Sequence, residues 1–199
     1  MTAELELASL VAHHQAVPVV PATLPSHFMA QPTKHNSTII RRATRDDVPD
    51  IVRLLANDPL GNQRERYQHP LPPSYYDAFN EIEHDQHSEL VVVEVNGEVI
   101  GTLQLTFIPY LTFCGGKRAQ IEAVRVDQRY RSLGIGNQLI AWAIARARQS
   151  GCHLVQLTTN ASRPDAHRFY LRLGFVASHV GMKLELTQQT TDTTETAVK

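Results

Sequence analysis

The chain has 199 residues, 42% hydrophobic and 20% charged, with a formal net charge of −1. That composition fits one soluble α/β domain with residues to spare for terminal extensions. It lacks the basic excess of a nucleic-acid binder, and no apolar run approaches the ~18 residues of a membrane span. The only cysteines, Cys114 and Cys152, read as free thiols in a reducing compartment, so a cytoplasmic location is expected.

Residues 1–36 carry Pro18, Pro21, Pro25 and Pro32 and no regular apolar period, which predicts a flexible extension. The first basic residue is Lys34, so the charged start of a signal peptide is missing. Met29 stands just before the regular part, and Met1 is therefore expected to be an over-extended start. The threonine-rich residues 187–199 read as a disordered polar tail. Residues 37–186 are expected to form the domain.

Within it, STIIRRAT reads as a strand. RDDVPDIVRLLAND follows as a helix, with Asp46 or Asp47 as cap and Val48, Ile51, Val52 and Leu55 at helical spacing. An irregular, proline-rich stretch over 58–73 leads to SYYDAFNEIEHD, a helix expected to be capped by Ser74. SELVVVEV and EVIGTLQLTFI flank Asn96-Gly97 and predict a hairpin. After a Gly115-Gly116 loop, AQIEAVRV is a strand. GNQLIAWAIARARQ is a helix, apolar almost all round and so expected to be buried. HLVQLTT is a strand and RPDAHRFYLRL a helix ended by Gly174. FVASHVGMKLEL is a last strand or hairpin. No internal repeat occurs.

RSLGIG, Arg131 to Gly136, lies between a strand and a helix. Unpaired N–H groups at a helix N-terminus carry partial positive charge, and glycines let a ligand approach the backbone. With Arg131, and Arg129 nearby, this suits a pyrophosphate; the alternative is a glycine-rich turn with solvated arginines. No Lys-Ser or Lys-Thr follows the glycines, as a P-loop requires. Leu139 stands where the dinucleotide fingerprint has its third glycine.

Arg131-Ser-Leu-Gly134-Ile-Gly136 resembles the R/Q-x-x-G-x-G/A signature of the GNAT acetyltransferase superfamily. IEAVRVD resembles the family's central strand, and LTTNASRPDAHRFYLRLGF its second cofactor segment. The likeness spans roughly residues 38–186. DAHRFYLRLGF…SH is similar to aminoalkylphosphonate and related small-amine acetyltransferases. The resemblance implies an α/β (α+β) fold, a mixed, mostly antiparallel twisted sheet with helices on both faces. It implies N-acetylation of a small-molecule primary amine by acetyl-CoA, by direct transfer in a ternary complex. Alternatives are a protein or peptide acetyltransferase and a non-catalytic acyl-CoA sensor.

The resemblance makes Tyr170 the acid that protonates the sulfur of coenzyme A; by spacing alone it is a packing residue with Ala166, Phe169 and Leu173. Glu122 is the candidate base, expected on one strand face with Val124 and Val126, or else a surface or salt-bridged residue. The backbone of Val124 and Val126 is expected to pair with the pantetheine arm. Arg131, Ser132, Leu133, Gly134, Ile135, Gly136 and Asn137 are expected to hold the pyrophosphate. Asn160 contacts the cofactor or is an ordinary turn residue. The acceptor is expected at residues 58–73 and the following helix, with Arg64 and Arg66 suited to an acidic acceptor, or Glu65, Asp77 and Glu81 to an amine. His84 and His87 lack a metal-ligand set, so no metal is expected, and neither a nucleic-acid nor a membrane partner. A homodimer is left open.

Overall fold

The computed structural model describes residues 38–58 and 60–186, which fall in one compact unit beginning at Asn36. The expected N-terminal extension, the start at Met29 and the tail at 187–199 lie outside the described residues.

Five strands form one sheet in the order β1-β2-β3-β4-β5. They are β1 (Thr38–Arg42), β2 (Ser88–Val95), β3 (Glu98–Pro109), β4 (Lys117–Val126) and β5 (Leu154–Leu157). The first three pairings are antiparallel and β4–β5 is parallel. This is the mixed, mostly antiparallel sheet that the resemblance implies. Asn96 (φ 53°) and Gly97 (φ 82°) both take the left-handed conformation that a tight β2–β3 hairpin turn needs.

The alternation along β2 explains why helices cover both faces. Val91, Val93 and Val95 join Leu103, Leu105 and Ile121 in a core closed by Leu139, Ile140 and Ala143 of α4 (Ile135–Gln149). The intervening Leu90 and Val92 meet the helices α1 (Val48–Ala56) and α2 (Pro73–His84). A valine-rich strand with both faces apolar must be covered on both sides. Helix α5 (Pro164–Arg172) packs Phe169 and Tyr170 on the α4 side.

Several local expectations are corrected. Ser74 does not cap α2: the helix starts at Pro73, and Pro72 is its N-cap. Asp47 precedes α1 but caps no N–H of that helix; its carboxylate accepts from the Thr44 N–H (2.7 Å) and hydroxyl (2.9 Å) across the preceding turn. Helix α4 is not buried all round, because Asn137, Gln138, Ala141 and Ala145 form an exposed face. Short alanines are apolar by type yet tolerate water. The loop at Gly115 contains a single turn, α3 (Thr112–Gly115), with Phe113 and Cys114 left-handed (φ 54° and 56°).

Residues 175–186 form no strand, and Val180, Met182, Leu184 and Leu186 are 86–95% exposed. Alternation supplies one side of a strand. The N–H and C=O groups also need a neighbouring edge in register, and none pairs with this segment among the described residues.

Candidate active site

Strands β4 and β5 pair only from Arg118↔Leu154 to Ile121↔Leu157, after which β5 ends and β4 continues for five residues. The free stretch begins at a bulge. Glu122 pairs with Gln104 and Arg125 with Thr102, so two residues of β4 stand opposite Leu103 alone, and Ala123 takes φ 53°.

The bulge breaks period-2 alternation. Cross-strand partners share a face, so Glu122 and Arg125 lie with Gln104 and Thr102. Val124 and Val126 pack on the opposite side, against the α4 core. The expectation that Glu122 shares a face with those valines is therefore wrong. Glu122 is exposed, on the face that carries α1 and α2.

Beyond the bulge the Asp127 N–H bonds the Ile100 carbonyl of β3 (2.8 Å). N–H and C=O groups alternate sides along a strand, so those of Val126 and Val124 point to the open edge. The Val124 carbonyl already accepts a 2.8 Å bond from Arg125 Nη1 and keeps a second lone pair.

At the RSLGIG loop, Ser132 (φ 64°) and Gly134 (φ 80°) are left-handed, and Gly134 is the N-cap of α4 with no side chain to bond the helix N–H groups. Those donors stay available to an anion. Arg131, Ser132, Leu133, Gly134 and Asn137 are exposed, whereas the Ile135 side chain is buried, leaving that residue its backbone. Arg129 adds no free charge, since Asp127 accepts from its Nη2 (2.9 Å) and Nε (3.1 Å) and Glu98 also pairs with it.

Tyr170 stacks edge-on between Phe169 (5.1 Å) and Phe175 (5.7 Å). Its backbone carbonyl accepts the Phe175 N–H, with Gly174 at φ 88° closing the helix end. The hydroxyl makes no hydrogen bond among the described residues. Burial raises the hydroxyl's pKa above the ordinary tyrosine value, opposed by the Arg125 and Arg163 charges. Asn160 uses its Oδ1 on Ser162 N–H (2.9 Å) and hydroxyl (2.8 Å), as a turn residue does, three positions past β5.

Sequence reasoning missed Arg125 and Asp58. Asp58 lies two residues past the end of α1 and accepts from Arg163 (2.5 Å) and Arg125 (3.3 Å). Among the described residues no cluster of three or more His, Cys, Asp or Glu is placed to hold a metal, and no helix is long and apolar enough to cross a membrane.

The pattern of the Acetyltransferase (GNAT) family matches residues 56–175. The aminoalkylphosphonate N-acetyltransferase of Salmonella typhimurium is 36% identical over 142 residues, 70% of this chain and 86% of that protein. The glucosamine 6-phosphate N-acetyltransferase of Trypanosoma brucei brucei is 36% identical over 91 residues, 45% of this chain and 59% of that protein. Among solved structures, a Bacillus halodurans C-125 protein described as a transcriptional regulator is 53% identical, with a TM-score of 0.74 over 75% of this chain and 100% of its own. Proteins of the matched family use acetyl-CoA as co-substrate. The chain belongs to the GNAT acetyltransferase family and is an N-acetyltransferase.

Proposed function

We propose that the chain transfers the acetyl group of acetyl-CoA directly to the primary amine of a small molecule, in a ternary complex. The observation that carries this reading is the Tyr170 hydroxyl, which has no hydrogen-bond partner among the described residues and lies within electrostatic reach of Arg125 on the unpaired stretch of β4. A half-buried phenol that spends no hydrogen bond on the protein is suited to give its proton to a ligand.

In the proposed mechanism the exposed backbone donors at the start of α4, with Arg131, Ser132, Leu133, Asn137 and the backbone at Ile135 and Gly136, hold the pyrophosphate. The free N–H groups of Val124 and Val126 pair with the pantetheine amides. A donor on this edge also meets the thioester oxygen as charge builds there. An alkylammonium has a pKa near 10, so one proton must leave before attack. Glu122 receives it, directly or through a water. The amine nitrogen forms a bond to the acetyl carbon, and the carbon–sulfur bond then breaks. Tyr170 gives its proton to the departing thiolate, the nitrogen releases its surplus proton, and solvent restores the phenol. The products are the N-acetyl amine and free coenzyme A. Asn160 borders the cofactor at the β5–α5 turn.

A panel of small amines, followed by thiol release from acetyl-CoA, tests the reading. Turnover is expected with at least one amine, and a fall in kcat of about 10²-fold or more in Tyr170→Phe. Full activity of that variant would remove Tyr170 from the chemistry. No thermal stabilisation by millimolar coenzyme A would remove the cofactor site.

A further inference from the structure

Among the described residues Arg125 is an unusual cation. Its side chain is only 15% exposed, and its Nε is sealed from solvent without a hydrogen-bond partner. The other such atom among the described residues, Arg118 Nε, belongs to a guanidinium lying over the Tyr110 ring. A buried charge without full pairing costs stability, so it calls for a reason.

Arg125 Nη1 donates to the Val124 carbonyl (2.8 Å), but its ion pairing is weak. Its one carboxylate, Asp58, stands 3.3 Å away, long for a charge-assisted bond. Asp58 is more closely engaged by Arg163 at 2.5 Å and also accepts the Leu60 and Gly61 N–H groups. The next acid, Glu65, is taken by Arg64 (3.0 Å) and by the Tyr75 hydroxyl (3.2 Å). Burial, Arg163 and Arg64 all work against the charge on Arg125, and only Asp58 and Glu65 favour it. Three arginines thus share two carboxylates. The surplus charge lies beside the reaction centre, because Arg125 and Arg163 both act on the Tyr170 hydroxyl and Arg125 shares its strand face with Glu122.

We infer that Arg125, supported by Arg163, binds an anionic group of the acceptor, so that the substrate class is small amines bearing a carboxylate, phosphonate or phosphate a few bonds from the nitrogen. This rests on the N-acetyltransferase reading above and deepens it. An oxyanion on the part of the guanidinium that remains exposed neutralises the surplus charge. It also fixes the amine at a short distance from Glu122 and Tyr170.

The test has two arms. In the first, kcat/KM is compared for matched amines with and without the anion: 2-aminoethylphosphonate and β-alanine against propylamine. The expected preference for the anionic members is about 10–100-fold in the wild type, as charged hydrogen bonds provide. It should fall to within about threefold in Arg125→Met, with Arg125→Lys between. Equal use of both kinds by the wild type, or an unchanged preference in Arg125→Met, overturns the proposal. The second arm needs no turnover. Methylphosphonate binding is measured by calorimetry with saturating coenzyme A, which occupies the pyrophosphate loop. Binding that weakens about tenfold or more in Arg125→Met supports the site, and equal binding refutes it. Absence of turnover with every amine would sink the acetylation reading, while the calorimetry still decides Arg125. If Arg125→Met does not fold, Arg163→Met, which is 30% exposed in its side chain, replaces it in both arms.

Discussion

A methyl group on Gly136 would stand 3.2 Å from Phe169 Cζ, so the second glycine of the loop motif is where α4 and α5 touch. Gly134 differs: nothing lies within 4 Å of its missing Cβ, but its φ of 80° disfavours any side chain. Gly136→Ala must shift the Phe169 ring, and with it the neighbouring Tyr170. The expected outcome is a loss of about 1 kcal/mol in stability and a fall in kcat larger than the rise in KM for acetyl-CoA. Gly134→Ala strains the loop itself by about 1–2 kcal/mol, so its larger effect is expected on the acetyl-CoA KM. Urea melts and steady-state kinetics of the two variants separate these roles, and identical kinetic profiles would contradict the division.

The environment of Tyr170 sets a pH dependence. Burial holds its hydroxyl above the ordinary tyrosine value of about 10, with Arg125 and Arg163 pulling it partly back. A group that acts as an acid works while protonated, so Tyr170 stays competent through neutral and alkaline pH up to that value. Any decline of kcat assigned to it should be centred above pH ~10 and be absent from Tyr170→Phe. A fall centred near pH 8 that vanishes in that variant would contradict this account.

Much of the fold is written in local signals. Asn96-Gly97 specifies its hairpin, and the double-sided valines of β2 announce a sheet covered on both faces. The strand–loop–helix form of RSLGIG is equally readable, because its glycines announce the left-handed turn that Gly134 makes ahead of α4. The position of Glu122 was not readable. Alternation counts residues in steps of two, and the bulge at Ala123 depends on the register that β4 takes against β3. Arg125 escaped for a related reason: its type suggests a solvated residue, and burial comes from elements far away in sequence. The apolar alternation of 182–186 promised a strand, but a strand is a property of two chain segments.

The loop expected to meet the acceptor depends on Gly61. A Cβ there would lie 1.9 Å from the Leu55 carbonyl oxygen, a backbone atom that cannot swing aside. The Gly61 carbonyl also accepts the Arg64 and Glu65 N–H groups (3.0 and 2.8 Å), so the loop carrying Asp58 and Arg64 is organised around it. Gly61→Ala is expected to cost about 2–3 kcal/mol and to raise the KM for the amine more than that for acetyl-CoA. Unchanged stability and KM would show that the loop does not need this close approach.

Asp127 links the end of β4 to α1 and supplies the clearest dependence of stability on pH. It is 3% exposed and accepts from the Arg129 N–H, Nε and Nη2 and from Arg53 Nη1 (3.0 Å). The Arg129 side-chain bonds, above all, hold its carboxyl well below the usual range; burial opposes them, and the Arg129 N–H and Arg53 add to the lowering. A carboxylate whose pKa is depressed on folding contributes stability that is complete above the unfolded value of about 4 and is lost as pH falls towards the folded value. Asp127→Asn removes that contribution at every pH. Arg53 keeps Asp50 and the Val99 carbonyl, and Arg129 keeps Glu98, so the expected loss at pH 7 is only about 1–2 kcal/mol. Other depressed carboxylates, such as Asp47 and Asp58, titrate in both proteins and cancel in the difference. Urea unfolding of wild type and variant at pH 7, 5 and 3 should therefore give a gap that is constant between pH 7 and 5 and narrower at pH 3. A gap that widens on acidification would reverse the sign and remove Asp127 as the source.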